Sequence, residues 1–436
     1  MRGDRPVRAA LVAGGKATRM GALAAAVPKP MLPFGGRPLL AHHVDLLAQC
    51  GVREATILAG HGAEGIANRL GEVTRSEVRV ELAVEARPRG SGGCLREIPG
   101  AGETLLVLFG DILLDMDLAE LLRFHRVRGG LATAVVHPND HPHDSDLAEL
   151  DPQGRILALH RKPHPPDLCV RNLVTAGVFV LEPELVAQIP EDRPCDLVHD
   201  LLVPAVERGV PLFGYRTTEY LKDIGTPERF RAVTEDWERG LVAAAHRSRR
   251  RPAAFLDRDG TLNRHRGLIT RPEEIELLPG AARAVRRLNR AGALAVVITN
   301  QPVLARGLCD EEGLARIHAR LEMALGAEGA YLDALYHCPH HPDGGYPGEV
   351  PHLKRTCSCR KPETGMIEAA ARDLPVDLRR SALFGDTWRD AEAARRAGLP
   401  AYWIGGEASP GVSAAGSLEE AVEDWLGRPS AAAINS

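Results

Sequence analysis

Short apolar, often β-branched runs alternate along the chain with longer stretches patterned as helices. In the first half the runs are Arg8 to Val12, Ala55 to Leu58, Thr104 to Phe109 and Ala132 to Val136; in the second they are Ala253 to Leu256, Ala293 to Ile298 and Ser381 to Phe384. This is the strand–helix–strand rhythm of sheets covered by helices, and it predicts an α/β class with two Rossmann-like halves. Between them His246-Arg247-Ser248-Arg249-Arg250-Arg251-Pro252, a charged run closed by proline, reads as a solvated linker. The expected organisation is a first domain over 1–245, a basic linker over 246–252, a second domain over 253–426 and a disordered tail over 427–436.

The 436 residues leave room for two to three domains at ~150 residues each, and 44% apolar content can build more than one core, which excludes a small disulfide-stapled scaffold. With 54 basic against 58 acidic residues the net charge is −4, so neither nucleic acid nor an anionic membrane is an expected partner. Anion binding must come from local sites. Residues 1–6 lead straight into a strand without an apolar leader, and no apolar run approaches the ~20 residues of a membrane span; the expectation is a soluble, cytoplasmic protein. Whether it forms a homo-oligomer is left open. Cys50, Cys94, Cys169, Cys195 and Cys309 are scattered, whereas Cys338, Cys357 and Cys359 share one stretch with histidines, which suggests metal more than disulfides.

The first strand runs into Gly14-Gly15-Lys16-Ala17-Thr18-Arg19, where paired glycines let backbone N–H groups approach phosphate oxygens, with Arg19 and Lys29 as cations nearby in sequence. Pro28-Lys29-Pro30-Met31-Leu32-Pro33 and Gly35-Gly36-Arg37-Pro38 follow. Together these resemble the sugar-1-phosphate nucleotidyltransferases, over residues up to about 235. The resemblance implies a mixed sheet of the GT-A kind, triphosphate contacts from Gly14, Gly15 and Arg19, and Lys29 at the attacked α-phosphate. It further implies a base- and ribose-binding turn with Glu85 and Gly90, Mg²⁺ held by Asp111 and Asp223, and sugar-phosphate contacts from Lys162 and Gly177. Ala17 stands where the family has a second loop glycine, and Arg161 where it has an acid. Independently of the family, Asp111 ends the buried run Leu105 to Gly110, where a carboxylate at a strand's C-terminal edge can meet Mg²⁺.

In the second half, Phe255-Leu256-Asp257-Arg258-Asp259-Gly260-Thr261 is a strand ending in two acids that share one side of the chain, so that one can attack while the other moves protons. A calcium loop would need a third acid and a closing glutamate. Ile298-Thr299-Asn300-Gln301, Arg360-Lys361-Pro362 and Phe384-Gly385-Asp386-Thr387-Trp388-Arg389-Asp390 follow. In that order the motifs resemble the haloacid dehalogenase phosphatase superfamily, over residues 253 to about 405. The resemblance implies Asp257 as nucleophile, Asp259 as general acid and base, Thr299 as phosphate anchor and Lys361 as charge stabiliser. Mg²⁺ would lie among Asp257, Asp259, Asp386 and Asp390.

Cys338, His340, Cys357 and Cys359 offer three thiolates and an imidazole, enough for a closed tetrahedral Zn²⁺ that holds a loop and does no catalysis; His341 is a spare candidate. The zinc loop with Arg-Lys-Pro resembles the heptose-1,7-bisphosphate 7-phosphatases and the related histidinol-phosphate phosphatases, which implies substrate contacts from Asn300, Gln301, Arg306 and Arg360. Pro302-Val303 departs from the Ser-Gly that is commoner there.

The two resemblances fit one reaction sequence. The phosphatase removes the distal phosphate of a heptose 1,7-bisphosphate, and the transferase joins the heptose 1-phosphate to an NTP, GTP being favoured, with release of pyrophosphate. The alternatives are a phosphatase for histidinol phosphate or another sugar phosphate fused to a different sugar nucleotidyltransferase, and a front half that only senses nucleotide.

Overall fold

The computed structural model describes residues 5–15, 18–21, 27–98, 102–165, 168–408 and 410–428. Close Cα neighbours group it into two compact units. One comprises residues 1–137, 148–161 and 174–246; the other comprises 138–147, 162–173 and 247–436.

In the first unit the central strands are β1 (Val7–Val12), β2 (Glu54–Ala59), β3 (Arg79–Val84) and β4 (Thr104–Phe109). β1 is parallel to β2 and β4, and β2 is parallel to β3. β5 (Ile112–Asp115) follows β4 after a tight turn, and β6 is Ala132–His137. β7 (Val174–Leu181) runs antiparallel to both β4 and β6, so the nine-stranded sheet is mixed, as expected. Successive residues of β1 and β4 feed opposite cores: Ala9, Leu11, Leu106 and Leu108 pack on one face, and Ala10, Leu105 and Val107 on the other. That is the period-two consequence of a strand buried on both sides, and it explains why these runs show no polar alternation. β8 (Tyr220–Asp223) pairs with β5 outside the main sheet, with Asp223 opposite Ile112.

The second unit has a six-stranded parallel sheet: β9 (Ala253–Leu256), β10 (Leu294–Asn300), β11 (Ala334–Cys338), β12 (Ala382–Gly385), β13 (Ala401–Ile404) and β14 (Val412–Ala415). The spatial order is β11-β10-β9-β12-β13-β14. The chain leaves β9 in one direction and returns on its other side, so β9 lies at the switch point where side chains at strand C-termini converge. Ala254, Leu256, Ala295 and Val297 fill one core and Ala253, Phe255, Val296 and Ile298 the other.

The expected linker divides in character. Residues 247–250 are exposed, but Arg251 is buried, with its N–H donating to Pro375 O at 2.7 Å and its carbonyl accepting from Asp377 N at 2.7 Å. The end of the arginine run is therefore an edge bridge of the second unit and not solvated chain, because a backbone buried there needs partners. The expected tail over 427–436 is corrected at its start: Gly427 closes the helix Leu418–Gly427, and residues 429–436, like Ala17, lie outside the described residues.

Candidate active sites

In the first unit the turn after β4 carries Asp111, and β8 brings Asp223 beside it: Ile224 N donates to Asp111 O at 2.9 Å. Withdrawal from water and the like charge of Asp223 push the Asp111 carboxyl up, while Lys29, 3.5 Å away, opposes them. Asp223 accepts from Gly225 N at 2.9 Å and from Arg229 at 3.0 Å. A Cβ on Gly225 would lie 3.4 Å from the Arg19 guanidinium, so Arg19 belongs to the same neighbourhood. The two carboxylates are hard oxygen donors of the sort Mg²⁺ takes.

Gly14 lies close to Glu85: a Cβ there would stand 2.8 Å from Glu85 Oε2 and displace that carboxylate, whereas Gly15 opens to free space. Glu85 follows β3, accepts from Arg89 N at 3.2 Å, and is pushed up by partial burial. Gly90 holds a left-handed φ of +79° with a Cβ position only 2.6 Å from Cys195 O, so the turn tolerates no side chain there. The same carbonyl accepts from Gly92 N and Gly93 N at 2.9 and 3.0 Å, which pins the turn. Gly177 sits against Ile112 and Phe109. Lys162 lies in a segment grouped with the second unit, and its ammonium is bonded to Asp144 O at 2.7 Å.

In the second unit Asp257 follows β9, Thr299 lies in β10 and Asp386 follows β12. They share a cavity of about 200 Å³ with Asp259, Arg360 and Lys361. Lys361 is buried, with Nζ 2.8 Å from Asp257 Oδ1 and 2.6 Å from Asp390 Oδ1. Burial works against its ammonium, but the two carboxylates outweigh it and hold the pKa above the usual lysine value. Burial, with Asp390 and Asp259 nearby, pushes the Asp257 carboxyl up against the pull of Lys361. Asp390 is fixed as part of a helix cap, accepting from Thr387 Oγ1 at 2.6 Å and Thr387 N at 3.1 Å.

Carboxylate oxygens of Asp257, Asp386 and Asp390 lie within 4.8 Å of one another, and Asp386 Oδ1 is buried with no hydrogen-bond partner. A Cβ on Gly260, whose φ is +84°, would fall 1.9 Å from Asp386 Oδ2. An orphaned carboxylate oxygen in a cradle kept open by glycine fits a divalent cation. The Asp259 carboxylate, expected as a fourth ligand, is outside this group. Its Oδ1 accepts from Arg258 Nε and Asn263 Nδ2, both at 3.0 Å, and its Oδ2 from Arg258 Nη2 at 2.8 Å and Gln301 Nε2 at 3.0 Å. Four N–H donors fix its position, and they keep its pKa low although burial opposes this.

All four expected substrate contacts of this unit have partners within the protein, Arg360 donating to His340 O at 3.1 Å, and Asn300 and Gln301 also line the cavity. Asn300 donates to Lys361 O at 3.0 Å and accepts from Lys361 N at 2.9 Å, which locks the two motifs together. Gln301 is buried, accepting from Arg258 at 2.9 Å and donating to Thr299 Oγ1 at 2.9 Å. Arg306 does not line the cavity; its guanidinium stands 4.2 Å over the ring of Tyr346. Arg360 does line it, together with Arg389, the residue between Trp388 and Asp390, to which the motif resemblance gives no role.

The four expected zinc ligands converge. Cys338, Cys357 and Cys359 sulfurs are 3.2–3.5 Å apart, and His340 Nδ1 is 3.4 Å from Cys359 and 3.7 Å from Cys338. The edge of a tetrahedron with Zn–S bonds of about 2.3 Å is about 3.7 Å, so the set fits the ion with little rearrangement. His341 is not part of it: its Nδ1 accepts from Asp343 N at 3.2 Å.

Residues 8–240 match the family model described as nucleotidyl transferase, and residues 197–398 match that of the haloacid dehalogenase-like hydrolases. A D-glycero-beta-D-manno-heptose-1,7-bisphosphate 7-phosphatase of Rhodopseudomonas palustris is 40% identical over 158 residues, 36% of this chain and 86% of the relative. A mannose-1-phosphate guanylyltransferase of Mycobacterium tuberculosis is 29% identical over 240 residues, 54% of this chain and 66% of the relative. Among solved structures, D,D-heptose 1,7-bisphosphate phosphatase from B. bronchiseptica, complexed with magnesium and phosphate, is 34% identical, covers 40% of this chain and 98% of its own, and has a TM-score of 0.36. Among the described residues no helix is long and apolar enough to cross a membrane.

Proposed function

The chain belongs to the nucleotidyl transferase family through its first half and carries a haloacid dehalogenase-like phosphatase in its second, and from that premise we propose that it makes a nucleotide-activated heptose in two steps. The substrates are a heptose 1,7-bisphosphate and an NTP, with GTP favoured. The products are inorganic phosphate, pyrophosphate and an NDP-heptose.

In the phosphatase, Asp257 attacks the distal phosphorus and the P–O bond to the sugar breaks. Asp259, in the fraction of molecules in which it carries a proton against the pull of its donors, gives that proton to the departing alkoxide. Water then attacks the aspartyl-phosphate, giving a proton to Asp259 as phosphate leaves and the Asp257 carboxylate is restored. Lys361, with Thr299, offsets the repulsion between an anionic nucleophile and a phosphate dianion. In the transferase, Lys29 and Arg19 neutralise the triphosphate while the sugar phosphate oxygen attacks the α-phosphorus, the bond from that phosphorus to the α–β bridging oxygen breaks, and pyrophosphate leaves. Mg²⁺, when bound among Asp257, Asp386 and Asp390 and between Asp111 and Asp223, supplies further charge neutralisation. Zn²⁺ at Cys338, His340, Cys357 and Cys359 is structural.

The observation that carries this reading is the meeting of Asp257, Lys361 and Asp386 at one cavity, with Asp390 buried behind them against Lys361, in a chain whose other half holds the Lys29–Asp111 pair. The test is to incubate the full chain with Mg²⁺, heptose 1,7-bisphosphate and each of the four NTPs, following phosphate and pyrophosphate. Release of both, with pyrophosphate dependent on prior dephosphorylation, is the expected result. Faster turnover of histidinol phosphate than of the bisphosphate would overturn the heptose assignment.

A further inference from the structure

Arg258, which lies between the two catalytic acids, is the largest side chain in the protein with essentially no exposure, at 0%. Burying a guanidinium is costly unless its partners are well aligned, and an apolar residue of similar volume often serves stability as well or better. Arg258 is a poor stability device on this measure, since its Nη1 is buried without a hydrogen-bond partner. What its other nitrogens do is specific. Nε and Nη2 grip the two oxygens of Asp259 at 3.0 and 2.8 Å, and Nη2 also reaches Gln301 Oε1 at 2.9 Å. The Gln301 amide closes the ring by donating to Asp259 Oδ2 at 3.0 Å and to Thr299 Oγ1 at 2.9 Å.

The backbone of the same residue is equally committed. Its N–H donates to Asp257 Oδ1 at 2.7 Å, and its carbonyl accepts from Leu262 N at 2.9 Å and Asn263 N at 3.1 Å. The root of the arginine is thus fixed, and the side chain acts from a rigid base. An aspartate in a loop, followed here by Gly260, has two free side-chain torsions; a bidentate guanidinium removes that freedom where a point charge would not.

We propose that Arg258, with Gln301, is the positioning residue that holds Asp259 as the base for hydrolysis of the aspartyl-phosphate. The proposal rests on the roles given above to Asp257 and Asp259. It deepens that reading, because neither Arg258 nor its ring with Gln301 and Thr299 follows from those roles. The step served is the second: water attacks phosphorus, its proton passes to Asp259, and the bond between phosphorus and Asp257 breaks. A base displaced by an ångström leaves the first step on a good leaving group intact and stalls the second.

The test uses the full chain with Mg²⁺ and p-nitrophenyl phosphate, whose phenolate departs without needing a proton, so that only the base role of Asp259 is read. Arg258→Met is expected to lower kcat by about a hundredfold with KM changed less than threefold, and acid-quenched samples should show a larger fraction of enzyme trapped as phosphoenzyme than in the wild type. Arg258→Lys should recover part of kcat. Gln301→Leu, which leaves the Arg258–Asp259 pair in place, should raise the phosphoenzyme fraction as well, and it decides the matter if Arg258→Met does not fold. A kcat within threefold of wild type in either folded variant, or a fall in kcat without phosphoenzyme accumulation, overturns the proposal. Failure of the heptose reading shows separately, as wild-type protein that turns over the aryl phosphate but not the sugar bisphosphate.

Discussion

The ammonium of Lys361 lies 2.8 Å from Oδ1 of Asp257, the oxygen that also accepts the Arg258 N–H. Lysine and nucleophile come from distant parts of the chain, and the lysine's backbone is tied on both sides to Asn300. Replacing the charge by Lys361→Met should lower phosphate release by about two to three orders of magnitude, the scale for losing one preorganised electrostatic contact in a catalytic site. Asn300→Ala, which frees the lysine's backbone but leaves its charge, should cost less. Steady-state phosphate release checks both, and equal losses would show that Asn300 acts otherwise than through Lys361.

Asp257→Asn should abolish phosphate release and spare pyrophosphate release from heptose 1-phosphate and NTP, while Asp111→Ala should do the reverse. Two coupled assays on the same preparations check this. Loss of both activities from either change, with folding intact, would contradict independent sites.

The thiolate and imidazole cluster predicts a metal content of one zinc per chain in freshly purified protein. Chelation should lower the melting temperature of the second unit, because four ligands otherwise left in a loop would repel or hydrate. Elemental analysis and melting with and without chelator measure it; protein as purified that contains no zinc would rule the site out.

His43 gives a dependence on pH. It is fully buried, its Nε2–H donates to Ile112 O at 2.7 Å, next to Asp111, and burial lowers its pKa from 6.5 to about 4. A histidine with a depressed folded-state pKa costs nothing at pH 7, where both states are neutral. Below about 6.5 the unfolded chain takes up a proton that the folded one refuses, so stability falls between pH 6.5 and 4, by on the order of 3 kcal/mol in full. His43→Gln keeps a donor for Ile112 and cannot titrate. Comparing the melting of the first unit at pH 7 and pH 5, the variant should lose less than wild type; an equal loss would mean His43 is not the group responsible.

Much of the fold was legible because strands buried on both faces announce themselves as short apolar runs; Thr104 to Phe109 and Ala253 to Leu256 were found with unchanged limits. The acids at strand ends were legible for a related reason. A parallel sheet gathers the C-terminal ends of its strands, so Asp257, Thr299 and Asp386 had to meet once their strands were identified. Asp390, expected as a metal ligand, also binds the Lys361 ammonium at 2.6 Å. What sequence could not give was the allocation of polar side chains among several partners. Asn300 and Gln301 line the cavity, but their amides are also claimed by Lys361, Arg258, Asp259 and Thr299, and nothing in linear spacing shows how a polar side chain is shared between a ligand and its neighbours. Arg258 was illegible for the same reason: an arginine between two acids ordinarily points into water. Arg251 was misjudged because its charged neighbours Arg249 and Arg250 are exposed, whereas its own backbone is claimed by Pro375 and Asp377.

The position of β9 between β10 and β12 has a bearing on how the protein is born. During translation the nucleophile's strand emerges well before Ala382–Gly385, the partner that will cover its second edge. A nascent chain halted short of that strand holds Asp257 but neither Asp386 nor Asp390, so this group of carboxylates assembles only after residue 390 has been made. The transferase acids Asp111 and Asp223 have by then long since left the exit tunnel.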